Sequence, residues 1–153
     1  MTFVPLAYEH LDQMVEIEKE AFEHENPWTK NMFIPELSHP YAHYIVGVSG
    51  DEVISYAGYH TVVDEAHITN VAVKKEYRGK GFGKLTLSRL IYDAQIVGLK
   101  RMTLEVRVDN IPAIKLYESY GFVSFGVRKK YYDGKYDALI MWKELQEENK
   151  QNS

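Results

Sequence analysis

Residues 70–84 read NVAVKKEYRGKGFGK, running from Asn70-Val71-Ala72-Val73 to Arg78-Gly79-Lys80-Gly81-Phe82-Gly83-Lys84. A β-branched run, a charged link, three alternating glycines and then a periodic apolar stretch spell strand, turn and helix. Glycines let backbone N–H groups approach an anion closely. The N-terminus of the following helix adds about half a positive charge, and Arg78, Lys80 and Lys84 surround it. That combination suits a pyrophosphate. Two familiar phosphate loops do not fit. A dinucleotide fingerprint G-x-G-x-x-G beginning at Gly79 needs glycine where Lys84 stands, and beginning at Gly81 it needs glycine at Thr86. A Walker loop ending at Gly83-Lys84 needs glycine at Arg78 and Ser or Thr at Leu85. From these residues alone, a tight turn that binds nothing stays open.

On the N-terminal side, Leu11, Met14, Val15, Glu18, Ala21 and Phe22 fall largely at helical spacing and predict a helix over 8–22. Asn26-Pro27-Trp28-Thr29 breaks the chain, and Thr29 is placed to cap a short helix toward Leu37. Strands are predicted at Tyr44–Val48, Val53–Thr61 and His67–Val73, the first two joined by a turn at Ser49-Gly50-Asp51. After the glycine turn, Leu87, Leu90, Ile91 and Ala94 mark an amphipathic helix ending near Gly98. Met102–Val108 reads as a strand. Asp109 or Asn110 caps a helix containing Pro112 and closed by Gly121. Strands Phe122–Tyr131 and Tyr136–Trp142 meet at Asp133-Gly134. If the first residues also form a strand, the order is β-α-α-β-β-β-α-β-α-β-β, a mixed α/β sheet with helices packed on it.

The 153 residues are 45% hydrophobic and 26% charged, the balance of one ordinary globular domain. That domain is placed at 1–146, followed by a polar tail at 147–153 read as disordered. Cysteine is absent, which excludes disulfides, thiolate metal sites and a cysteine nucleophile. Neither a spanning apolar run nor a signal-peptide pattern occurs, so a cytoplasmic location and no membrane partner are expected. Charge is segregated. Residues 1–73 carry 12 acids and 2 bases, whereas residues 74–101 carry 8 bases and 2 acids. Either one face takes an anion and another a cation, or these are solvated helix faces.

Arg78-x-x-Gly81-x-Gly83 after Asn70-Val71-Ala72-Val73 resembles the acetyl-coenzyme A signature of the GNAT N-acetyltransferase superfamily. The similarity extends through Leu104-Glu105-Val106-Arg107, Asn110 and Ala113-x3-Tyr117-Glu118-x2-Gly121-Phe122. Pro27-Trp28-Thr29, Arg128-x2-Tyr131-Tyr132 and Asp137-Ala138-Leu139-Ile140-Met141 resemble the bacterial ribosomal-protein-alanine N-acetyltransferase subgroup. Residues 3–143 are covered. Arg78 stands where many members carry Gln, a change that leaves backbone binding of the anion intact.

The resemblance implies a GNAT fold: a mixed, mostly antiparallel central sheet flanked by helices, with a splayed strand pair and a glycine-rich pyrophosphate loop. It implies acetyl-coenzyme A as co-substrate, held by Val71, Ala72, Val73, Arg78, Gly79, Lys80, Gly81, Phe82, Gly83, Lys84 and Asn110. A backbone N–H of Val71–Val73 then polarises the thioester carbonyl. An α-amine has a reference pKa of about 7.7–8.0 and a lysine amine about 10.4, so a general base matters for either acceptor. The matching residue is Glu105, whose neighbours Met102, Leu104 and Val106 imply limited solvation, a setting that strengthens a carboxylate as a base. Tyr117 matches the acid that protonates the leaving thiolate. Taken alone it shares helical spacing with Ile114 and Tyr120 and reads equally as core. Tyr131 and Tyr132 match a pair that clasps the acceptor's N-terminal backbone, and Trp28 either lines the acceptor groove or anchors the turn before the second helix.

The implied acceptor is a protein or peptide N-terminus, namely the N-terminal alanine of a small-subunit ribosomal protein, attacked directly in a ternary complex. The acidic N-terminal region offers a surface for a basic acceptor segment. Lysine or small-amine acetylation on the same fold, and a non-catalytic acyl-coenzyme A-binding module, are the alternatives. Among the six histidines, His39 and His43 are four apart, but Pro40 opposes a shared helix, and His60 and His67 have no cysteine or obvious carboxylate cluster at ligand spacing. No metal is expected. The bases of 74–101 surround a glycine loop without interleaved aromatics, so no direct nucleic-acid binding is expected either.

Overall fold

The computed structural model describes residues 1–22, 25–132 and 136–145, with the side chains of all but 130–132. The expected turn at Asp133-Gly134 and the tail 147–153 lie outside the described residues. β1 (Thr2–Pro5) leads into helix α1 (Leu11–Ala21) and the single-turn helix α2 (Lys30–Phe33), which tightens into a 3-10 turn at Ile34–Leu37. β2 (Ala42–Ser49), β3 (Glu52–Val62) and β4 (Glu65–Val73) follow as a meander. Then come α3 (Phe82–Ile96), β5 (Arg101–Arg107), α4 (Ile111–Ser119), β6 (Val123–Tyr132) and β7 (Tyr136–Glu144). The element order is the one expected from sequence. Thr29 does occupy the N-cap position of α2, but its side chain makes no capping bond; at α4 the cap is Asn110, whose side chain accepts from the Ala113 N–H.

The seven strands form one sheet in the order β1-β2-β3-β4-β5-β7-β6. Every pairing is antiparallel except β4 with β5. Period-two alternation divides the core between the two faces of the sheet. Tyr44, Val46 and Tyr56 pack with Leu11, Met14 and Ile17 of α1 and Phe33 of α2. Ile45, Ala57 and Tyr59 pack on the opposite face with Leu87, Leu90 and Ile91 of α3 and Tyr117 of α4. Fully burying a side chain such as Phe33 or Leu90 contributes roughly 1.5–3 kcal/mol, so these two layers fix where the helices sit. Among the described residues no helix is long and apolar enough to cross a membrane.

The parallel pair carries the feature that makes a site. β4 and β5 pair only at Glu65↔Arg101, Ala66↔Met102 and His67↔Thr103, at the start of both strands. Two residues farther on, Thr69 is skipped in the β3–β4 register, between Gly58↔Asn70 and Tyr59↔Ile68. A bulge bends the strand that carries it, and here it lies where β4 leaves β5. β3 stays paired to β4 as far as Val73, and β7 to β5 as far as Arg107. The sheet therefore opens along the inner edges of β4 and β5 while both outer edges remain tied down.

Candidate active site

A cleft of about 670 Å³ occupies that opening. Val71 lines it from β4, Glu105 and Arg107 from β5, Asn110 and Tyr117 from α4, and Glu18 and Trp28 from the α1–α2 side. Backbone groups on the unpaired inner edge of β4 face this space. Among the expected site residues, Trp28, Val71, Glu105, Asn110 and Tyr117 are thus brought together. Ala72 points the other way and is buried beneath α1. Tyr131 and Tyr132 continue the backbone of β6, but their side chains lie outside the described residues.

The glycine turn stands at the end of β4 rather than in the cleft lining. Gly79 (φ +75°) and Gly81 (φ +88°) both adopt the left-handed region, where a side chain brings strain, and a Cβ at either would meet open space. The first helical bond of α3 runs from the Leu85 N–H to the Gly81 carbonyl. The N–H groups of Phe82, Gly83 and Lys84 therefore have no partner within the helix. Gly83 lies over Val73 and Leu116, close enough that an added Cβ would sit 3.7 Å from Val73. A left-handed pair of glycines before free helix-end amides is a cradle for an anionic group, so the residues present fit a pyrophosphate. Of the expected cations, Arg78 directs its Nε to the Val73 carbonyl (3.0 Å) and closes the loop onto β4. Lys80 lies over the Tyr77 ring, while the Lys84 carbonyl accepts from the Tyr120 hydroxyl.

Glu105 alternates with the buried residues Leu104 and Val106, and its side chain is 24% exposed, facing the cleft. Its Oε1 accepts from Arg128 of β6 at 2.7 Å, a bond that fixes the carboxylate's orientation. Arg128 was legible only as part of a motif, because β6 reaches Glu105 across β7. Tyr117 is almost wholly buried, with its ring edge against Phe122. Burial pushes its phenol up to about 12, so it stays protonated throughout the working range. Trp28 packs on Phe33 with ring centroids 5.1 Å apart and also lines the cleft.

Glu18 is the cleft residue that sequence reasoning did not single out. It is buried in the apolar face of α1 at 1% exposure. Its Oε1 accepts from the Trp28 N–H, and its Oε2 accepts from the Tyr56 hydroxyl and the Asn70 amide. Burial raises its pKa above the ordinary value, with these three donors acting in the opposite sense. Its signal was present in the sequence as an acid on the buried helical stripe. From Asn70 the polar chain continues through the Tyr44 hydroxyl to Thr69 and Glu36. His60 then bonds Glu36 at 2.6 Å. His60 therefore has a carboxylate neighbour 24 positions away, which spacing along the chain does not reveal.

The family model described as the acetyltransferase (GNAT) family matches residues 10–122. A Bacillus subtilis protein provisionally named as a ribosomal protein bS18-alanine N-acetyltransferase is 42% identical over 141 residues, covering 91% of this chain and 92% of that one. The Escherichia coli K12 protein named ribosomal protein bS18-alanine N-acetyltransferase is 34% identical over 143 residues, covering 92% and 90%. The crystal structure of the Escherichia coli ribosomal-protein-S18-alanine N-acetyltransferase superposes with a TM-score of 0.85 at 32% identity, covering 94% of this chain and 93% of that one.

Proposed function

We propose that this chain, which belongs to the GNAT acetyltransferase family, transfers acetyl from acetyl-coenzyme A to the N-terminal alanine of a ribosomal protein. Membership of the family makes it an N-acetyltransferase; the acceptor is the step added here. The observation that carries the reading is the opened β4–β5 edge, where Glu105 and Tyr117 line one cleft beside unpaired β4 backbone. The relatives named for alanine acetylation, similar over nine-tenths of the chain, supply the acceptor class.

When bound, the co-substrate supplies an activated acetyl group. The amides at the start of α3 and the left-handed Gly79 and Gly81 hold its pyrophosphate, and Asn110 borders its path into the cleft. A backbone N–H on the inner edge of β4 donates to the thioester carbonyl, where negative charge grows as the amine attacks. Glu105, held by Arg128, accepts a proton from the α-ammonium and frees its lone pair. Tyr117 donates its hydroxyl hydrogen to the departing sulfur, and the second proton that the nitrogen sheds as the amide forms restores the phenol. With its phenol pushed up to about 12, full transfer to a thiolate of ordinary pKa about 8.5 runs uphill. Desolvation of the sulfur beside the buried Tyr117 raises the thiolate's own affinity for the proton and narrows that gap. Attack is direct, because the chain has no cysteine to carry the acetyl group. Trp28 borders the acceptor, Tyr131 and Tyr132 enter as its clasp on the family resemblance alone, and a cytoplasmic location matches such a substrate.

The test is thiol release from acetyl-coenzyme A with an Ala-initiated peptide from the ribosomal protein, beside a copy whose α-amine is blocked and whose lysines are free. Release with the free N-terminus alone supports the reading. Equal release from both peptides moves the acceptor to lysine, and silence with both while coenzyme A still binds points to a binding module.

A further inference from the structure

Glu36 and His39 lie three positions apart, in the 3-10 turn after α2 and the link into β2, and His60 lies near the far end of β3. One possible ligand atom from each lies within 4.8 Å of the other two. The Glu36 side chain is 5% exposed. Its Oε1 meets the His60 Nε2 at 2.6 Å and accepts from the Tyr44 hydroxyl at 2.8 Å. The imidazoles of His39 and His60 stack with centroids 4.5 Å apart.

We propose that Glu36, His39 and His60 bind a divalent transition-metal ion of the zinc class, with water as fourth ligand, fastening the segment after α2 to the sheet. Two imidazole nitrogens and one carboxylate oxygen are a donor set that zinc takes readily. Bonds of about 2.0–2.2 Å hold tetrahedral ligand atoms about 3.3 Å apart. The 2.6 Å contact therefore opens slightly, the wider ones close by up to about 1.5 Å, and the stacked rings turn so that a lone pair of each meets the ion. A buried carboxylate beside two imidazoles is also where a dication offsets the cost of desolvation.

The surroundings support the ligands. Tyr44 keeps its bond to Glu36 and orients the carboxylate toward the histidines. The tyrosine ring has room because residue 58 is glycine, since a Cβ there would come within 2.3 Å of it. At present the His39 Nδ1 accepts from the exposed Tyr41 N–H. Ligation through either ring nitrogen releases that N–H, and water takes the place of the imidazole. Glu36 and His39 also line a second pocket of about 330 Å³, which gives an ion a route in.

The inference is independent of the acetyl-transfer reading, and its test does not use activity. The untagged full-length chain is titrated with zinc by calorimetry, and with cobalt(II) by visible absorption. One ion per chain is expected, with a raised melting temperature in zinc and the intense cobalt band of a four-coordinate site. His39→Ala and His60→Ala should each weaken zinc binding at least about tenfold, while His67→Ala leaves it unchanged. Circular dichroism checks that each variant is folded, and the wild-type cobalt spectrum stands apart from any variant. Absence of zinc binding at micromolar concentration, a six-coordinate cobalt spectrum, or undiminished binding after removal of both His39 and His60 overturns the proposal.

Discussion

Replacing Glu18 probes how the buried polar chain holds the cleft. In Glu18→Ala, three donors lose their acceptor: the Trp28 N–H, the Tyr56 hydroxyl and the Asn70 amide. Each buried donor left unsatisfied costs about 1–3 kcal/mol, and removing a desolvated carboxylate returns part of that. A net loss of about 3 kcal/mol is expected, a fall in Tm of about 6–12 °C for a chain of this size. Glu18→Gln keeps the shape and one acceptor, and its cost near pH 4.5 is about 1 kcal/mol, one net hydrogen bond. The pH dependence separates the two effects. The Glu18 pKa is raised in the folded chain above its ordinary 4.5, so the folded state holds that proton more tightly than the unfolded chain. Its stabilising contribution is complete below about 4.5 and is lost as pH rises through the folded value. Glutamine cannot ionise, so the gap between wild type and Glu18→Gln should shrink as pH rises. Urea unfolding at pH 4.5 and 7.5 measures it. A gap that is constant, or that widens with pH, refutes the reasoning. Because Trp28 and Asn70 line the cleft, both variants should also raise KM for the acceptor more than that for acetyl-coenzyme A.

Glu105→Gln should lower kcat strongly and move the rate optimum to higher pH, where the acceptor amine deprotonates unaided; an unchanged pH–rate profile removes Glu105 as the base. Tyr117→Phe keeps the ring contact with Phe122 and should cost about 10²–10⁴ in kcat at nearly constant coenzyme A affinity. With the phenol pushed up to about 12, wild type should show no alkaline loss of rate from Tyr117 up to pH 10. Gly81→Ala forces a side chain onto a backbone at φ +88°, costing about 1–2 kcal/mol. It should raise KM for acetyl-coenzyme A in steady-state kinetics while leaving the acceptor KM unchanged.

The strand–turn–helix around Gly79–Gly83 was legible because the left-handed backbone at Gly79 and Gly81 favours glycine and few elements accept that spacing. Glu105 was legible through alternation with Leu104 and Val106, and Asn110 through its place before Pro112. What escaped the sequence depends on residues far apart in the chain. The bulge at Thr69 and the three-pair limit of β4 with β5 are set by three strands together, and no local pattern encodes them. Glu18 showed as an acid in an apolar stripe, but its partners Trp28, Tyr56 and Asn70 lie 10 to 52 positions away. The Glu36–His60 contact spans 24 positions and joins a turn to a strand end, so histidine spacing alone argued against it.

The position of the transferred acetyl group separates an N-terminal from a lysine acetyltransferase. Incubating the protein with acetyl-coenzyme A and an Ala-initiated peptide that also carries lysines, then locating the modification by fragment-ion mass spectrometry, gives that answer. One acetyl group is expected, on the α-nitrogen of alanine, with none on lysine. Acetyl on a lysine side chain with the N-terminus left free would contradict it.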